Sequence, residues 1–147
     1  MMKKKFVKHL LIIDCYTKPK QIEFLKNNML LASSLYRNVI NQYFDCNFTI
    51  LNPCYDNFCL SDLNVNNING AIFTGSSYSV YDKNQHVENC KQVFHKLSNS
   101  NINMFGSCFG LQLFVQETGG VVEKSSKGRE IGICRDIYIT NTNHYIY

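Results

Sequence analysis

No apolar run in the 147-residue sequence approaches the roughly 20 residues that a bilayer-spanning helix needs. Leu10-Leu11-Ile12-Ile13 is typical of the longest, so no membrane is expected as a partner. A secretory leader is not expected either. The basic start at Lys3-Lys4-Lys5 is there, but Lys8 and His9 break the apolar stretch and no small-residue cleavage site follows. The seven cysteines, at positions 15, 46, 54, 59, 90, 108 and 134, contain no C-x-x-C and are odd in number. That argues against a disulfide framework or a zinc site, and for reduced thiols buried as small hydrophobes in a cytoplasmic protein. Neither a G-x-G-x-x-G nor a P-loop is present, so no cofactor and no metal is expected. There is no basic stripe with interleaved aromatics. The net charge of 15 − 11 = +4 owes three of its positives to Lys3-Lys4-Lys5, so nucleic acid is not an expected partner. No repeat or linker divides the chain, and residues 1–147 are read as one domain.

What is present is a globular composition, 45% apolar and 18% charged. A chain of this size buries roughly 68–70% of its unfolded surface. Strand and helix signals alternate. Val7 to Asp14 reads as a buried strand. Thr17-Lys18-Pro19 opens a helix, and Ile22, Leu25, Met29, Ala32, Tyr36, Ile40 and Tyr43, at steps of three and four, would form one face of a long helix. Strands follow at 47–51, 70–74 and 102–105, with a helical turn near Leu60 to Leu63. A second amphipathic helix is marked by Val87, Cys90, Phe94 and Leu97, and a third spans Leu111 to Thr118. Late strands are predicted at 121–123 and 137–140. This alternation implies an α/β fold, a doubly wound and mostly parallel sheet with helices on both faces. Such sheets bind ligands at the carboxyl ends of their strands.

Two loops open at that edge. Gly106-Ser107-Cys108-Phe109-Gly110 is the cysteine form of a nucleophile elbow, in which a strand turns sharply into a helix and strains the central residue outward. The helix N-terminus beyond the sulfur favours thiolate and can receive an oxyanion. Gly75-Ser76-Ser77 follows the neighbouring strand. Its backbone N–H groups would complete an oxyanion hole with that of Phe109. The competing reading is a buried cysteine in a Gly-flanked turn, and a Gly-Ser-Ser stretch that is only a loop.

These blocks resemble the class I glutamine amidotransferases, and most of all the stand-alone GMP synthase-like members. The first block is Gly70 to Asp82. The second is Gly106-Ser107-Cys108-Phe109-Gly110-Leu111-Gln112-Leu113. The third is Gly119-Gly120-Val121-Val122 with Lys127-Gly128-Arg129-Glu130-Ile131-Gly132. Leu11-Ile12-Ile13-Asp14 and Leu35-Tyr36 also fit. The resemblance implies a flavodoxin-like sheet. It implies Cys108 as nucleophile on the glutamine side-chain amide, with Ser76 and Phe109 N–H groups holding the oxyanion. It places Gly75 and Gln112 in the glutamine pocket and Gly106 and Gly110 as elbow glycines. Glutamine or a γ-glutamyl compound is the implied substrate, and a synthetase the implied partner.

The sequence departs from the family at one point. The family's histidine and glutamate stand on an H-x-E motif well beyond the elbow, and none of His9, His86, His95 or His144 matches it. The chain therefore reads as the front part of the domain, with the sheet incomplete on its C-terminal side and a complementing fragment as an alternative partner. Three readings stay open: a thiol-dependent glutaminase, a γ-glutamyl-directed cysteine hydrolase, and an inactive remnant or binding module.

Overall fold

The computed structural model describes residues 8–126. Four strands, β1 (Lys8–Ile13), β2 (Cys46–Leu51), β3 (Gly70–Phe73) and β4 (Met104–Gly106), form one parallel sheet in the order β2-β1-β3-β4. Four helices connect and flank them: α1 (Lys18–Lys26), α2 (Ala32–Ile40), α3 (Gln85–Asn99) and α4 (Phe109–Glu117). A single 3-10 turn covers Leu60–Asp62. This is the flavodoxin-like, doubly wound α/β arrangement. Its switch point lies between β1 and β3, where the chain stops stepping one way along the sheet and starts stepping the other.

Side-chain parity shows how both faces are filled. Leu11 and Ile13 of β1 and Ala71 and Phe73 of β3 join a cluster with Val87, Val93, Phe94 and Leu97 of α3 and Phe109 and Leu113 of α4. Ile12 and Ile72 are one residue out of step and so point to the opposite face, yet they too are buried. Right-handed crossovers from β1 to β2 and from β3 to β4 run in opposite directions. They set α1 and α2 on one face and α3 on the other, where α4, which follows β4, packs in the same cluster as α3. α3 is the best-anchored helix. The Asn84 side chain caps it by accepting from Val87 N at 3.0 Å, and Val87, Cys90, Phe94 and Leu97 are all buried as their spacing predicts.

Two expectations are corrected. The single long helix over 17–43 is two nine-residue helices. The break is a Schellman motif: Asn28 takes φ 55°, its N–H donates to Leu25 O at 3.1 Å, and Met29 N–H donates to Phe24 O at 2.9 Å. The stripe of Ile22, Leu25 and Met29 is largely exposed, while Gln21 and Ser33 are buried. Gln21 is held by polar contacts: its Nε2 donates to Asn52 Oδ1 at 3.2 Å, and the Tyr55 hydroxyl donates to its Oε1 at 2.7 Å. Ser33 N–H donates to the buried Asp14 carboxylate at 3.1 Å. Residues 121–123 form no strand, and Val121 is exposed. The expected strand at 137–140, the 127–132 block, Cys134 and His144 lie outside the described residues.

The two faces differ in what a truncation costs. Leu97→Ala removes a fully buried side chain and is expected to lower unfolding free energy by about 2–5 kcal/mol. Leu35→Ala, on the exposed side of α2, should change it by no more than about 0.5 kcal/mol. Urea denaturation of the two variants checks both values.

Candidate active site

The turn between β4 and α4 is as tight as a backbone allows. A Cβ on Gly106 would lie 2.5 Å from the Gly110 carbonyl carbon, and one on Gly110 would lie 2.7 Å from both Cβ and O of Phe73. Neither position accepts a side chain, so β4, the first turn of α4 and β3 sit backbone against backbone. Ser107 N–H fixes the crossing by donating to Phe73 O at 3.1 Å. Within that turn Cys108 takes φ 53°, ψ −107°, a conformation L residues adopt only at a cost of about 1–3 kcal/mol. The strain has a visible result. Cys108 stands at the N-cap of α4 and is exposed, the only cysteine besides Cys59 that is so among the described residues. The dipole and free N–H groups of the α4 N-terminus lie beside its sulfur.

The Gly75-Ser76-Ser77 loop does face the elbow. Ser76, Ser77, Cys108, Phe109 and Gln112 line one cavity of about 500 Å³, together with Tyr78, Ser79, Tyr81, Lys124 and Ser125. Lys124 is the one charged side chain among these. The loop is held from beneath. The buried Thr74 hydroxyl accepts from Cys15 N–H at 2.9 Å and donates to Gly75 O at 2.9 Å. Above it, Ser79 N–H donates to Asp82 Oδ2 at 2.8 Å, and Tyr78 N–H donates to Ser76 Oγ at 3.1 Å.

Gly75 differs from the elbow glycines. A Cβ there would meet the Tyr16 hydroxyl at 3.4 Å and Cys108 Cβ at 3.8 Å, ordinary contacts that the fold tolerates. The same distances bring Tyr16 to the site. Sequence reasoning missed it, although it stands just past the carboxyl end of β1, where ligand-binding residues of such sheets concentrate. Its N–H donates to Asp14 Oδ1 at 3.3 Å, and its ring meets Phe24 edge-on at 5.0 Å. Burial, then the neighbouring Cys108 and Asp14, pushes its phenol above the ordinary value, so it remains a protonated donor at neutral pH. Lys124 and Ser125 were missed for a plainer reason: nothing local marks a residue that returns to a site after a helix.

The three histidines among the described residues lie elsewhere. His9 Nε2 pairs with Thr49 Oγ1 at 2.8 Å, at the amino end of the sheet. His95 meets Glu117 at 2.7 Å between α3 and α4. His86 stacks on Tyr78 with ring centres 5.5 Å apart. No histidine, aspartate or glutamate lines the Cys108 cavity among the described residues.

Residues 24–142 match the family model described as glutamine amidotransferase class-I. Among curated proteins the chain is 44% identical over 63 residues to a GMP synthase [glutamine-hydrolyzing] of Finegoldia magna, covering 43% of this chain and 11% of that one. It is 40% identical over 76 residues to the GMP synthase of Prochlorococcus marinus strain MIT 9215, covering 50% and 13%. It is 36% identical over 92 residues to that of Plasmodium falciparum, covering 60% and 16%. The matched segments are thus a small part of those relatives' length. The chain belongs to the class I glutamine amidotransferase family.

The glycine geometry separates scaffold from site. Gly110→Ala is expected to destabilise the protein by about 1–3 kcal/mol, because Phe73 and its backbone must give way. Gly75→Ala should leave stability within about 0.5 kcal/mol of the parent. Thermal unfolding of both variants reads the contrast.

Proposed function

We propose that this domain hydrolyses the side-chain amide of glutamine, with Cys108 as nucleophile, and hands the ammonia to a synthetase partner. The sulfur attacks the amide carbon. The oxyanion that forms is received by the N–H groups of Ser76 and Phe109. The carbon–nitrogen bond then breaks, and the nitrogen leaves as ammonia carrying the proton that the thiol gave up. Water attacks the resulting glutamyl thioester, releasing glutamate and restoring the thiol. Gln112 and Lys124 meet the amino-acid end of the substrate, Lys124 as the cation opposite its carboxylate. Gly75 leaves room between loop and sulfur. The observation that carries this reading is the left-handed Cys108 at the head of α4, sharing one cavity with the Gly75–Ser77 loop.

The proton transfers need a base, and the described residues lining the cavity supply no histidine or carboxylate. The base is therefore assigned to a group outside residues 8–126, in this chain or in a partner. Attack requires the thiolate, so the group that takes the thiol proton sets the rate. That same observation favours a second reading, in which the site binds a γ-glutamyl group without turning it over.

A glutamine-like diazo-ketone distinguishes these. It should label Cys108 faster than the other six thiols, and Cys108→Ala should abolish that labelling. Equal reactivity of all seven thiols, read by mass spectrometry, would remove the basis of both readings. Labelling with ammonia release would support the hydrolase, and labelling without it the binding module. Where ammonia is released, Cys108→Ser should lower the rate by about 10³-fold or more. Lys124→Ala should raise the glutamine concentration for half-maximal protection of Cys108 by no more than about fivefold, since an exposed ion pair contributes at most about 1 kcal/mol.

A further inference from the structure

Beneath the oxyanion loop lies a second set of sulfurs that the amidase chemistry does not use. Cys15, Cys54 and Cys90 are all buried and come from three separate parts of the fold: the turn just past β1, the connection after β2, and α3. Cys54 Sγ and Cys90 Sγ are 3.8 Å apart, in van der Waals contact. Among the described residues no group of three His, Cys, Asp or Glu is arranged to hold a metal ion.

We propose that Cys54 and Cys90 are a site of reversible oxidation, forming an intramolecular disulfide when the protein meets hydrogen peroxide, and that the bond loosens the oxyanion loop. Access decides which sulfur reacts first. Cys90 is fully enclosed, whereas Cys54, though only 3% exposed, lines a second cavity of about 570 Å³ with Tyr55, Tyr78 and His86. Hydrogen bonding with Cys15, then with Cys54, and burial hold the Cys90 thiol well above its usual range, which adds to its enclosure in disfavouring it as the sulfur that meets peroxide. Cys54 sulfur attacks one peroxide oxygen, the O–O bond breaks, and a sulfenic acid and one water form. Cys90 sulfur then displaces the hydroxyl from Cys54. Its proton leaves with that hydroxyl as a second water, and the S–S bond closes. The two sulfurs lose two electrons and the peroxide gains them.

The consequence travels through bonds already described. In the reduced protein Cys54 Sγ–H donates to Cys15 O at 3.3 Å, with His86 O at 4.0 Å as the alternative acceptor. Cys15 N–H donates to Thr74 Oγ1, and Thr74 Oγ1–H donates to Gly75 O. Closing the sulfurs from 3.8 Å to about 2.05 Å removes the S–H donor and pulls Cys54 toward α3. Cys15, the next link, loses its support, and Gly75 is two hydrogen bonds further on. Formation of the disulfide does not depend on Cys108 being a nucleophile.

The test therefore uses the full chain carrying Cys108→Ser, treated with hydrogen peroxide and then alkylated under denaturing conditions. Chymotryptic peptides containing Cys54 and Cys90 should appear joined, two hydrogens lighter than the free pair, in most chains. Dithiothreitol should separate them, and Cys90→Ala should prevent the product. Both cysteines recovered alkylated, a Cys54 halted at sulfinic acid, or a Cys54 joined to another cysteine would each overturn the proposal. Hydrogen exchange reads the second half. Peptides covering residues 70–80 should exchange faster in the oxidised chain, and unchanged exchange there would overturn the coupling.

Discussion

Two hydrogen-sized side chains make the rest of the site achievable. Gly106 and Gly110 stand where any Cβ would collide with backbone, so β4, the head of α4 and β3 approach more closely than side chains would permit. That closeness leaves the intervening residue no relaxed conformation, and Cys108 is held at positive φ with its side chain outward. The stored strain is borne by the hydrophobic layer behind it. Phe73, Phe109 and Leu113 are fully or almost fully buried and lock the turn from the core side. Removing water from that layer and distorting one residue at its rim are parts of the same construction.

The second requirement is a loop that presents backbone donors without collapsing onto the sulfur. Here the carboxyl edge of the sheet uses buried polar groups as braces. Asp14 carries the N–H groups of Tyr16 and Ser33, and Thr74 ties the end of β1 to Gly75. Each is satisfied, so burial costs little and the geometry is fixed. Apolar packing alone could not aim these groups, because it is not directional.

How much of this was legible in the sequence differs by element. The strands, the α3 face and the elbow follow from local pattern: short continuous apolar runs, i, i+3, i+4 spacing, and a cysteine between glycines at a strand-to-helix junction. Cys108, Ser76, Ser77, Phe109 and Gln112, all marked by local motifs, line one cavity. The long helix over 17–43 was misread because the apolar spacing continues unbroken through Asn27-Asn28. The backbone stop at Asn28 depends on a left-handed conformation that spacing does not encode, although an Asn pair is a permissible helix end. Burial of Gln21 and Ser33 in place of Ile22 and Leu25 could not be read at all, since it depends on Tyr55, Asn52 and Asp14 from distant parts of the chain. Tyr16 and Lys124 belong to the same class: Lys124 reaches the cavity, and Tyr16 the neighbourhood of Gly75 and Cys108, through the fold and not through any neighbour in sequence.

The Schellman break has a consequence for dynamics. It leaves α1 and α2 at nine residues each, shorter than a helix that would persist alone in water. Their outward apolar side chains contribute little, and polar clasps at Asp14 and Gln21 add to the packing over Ile12 and Ile72 in holding the pair to the sheet. That corner is a low-free-energy opening unit. Under mild denaturant it would detach before α3 and the β1–β3 pair, carrying Tyr16 away from the sulfur while the elbow stays folded.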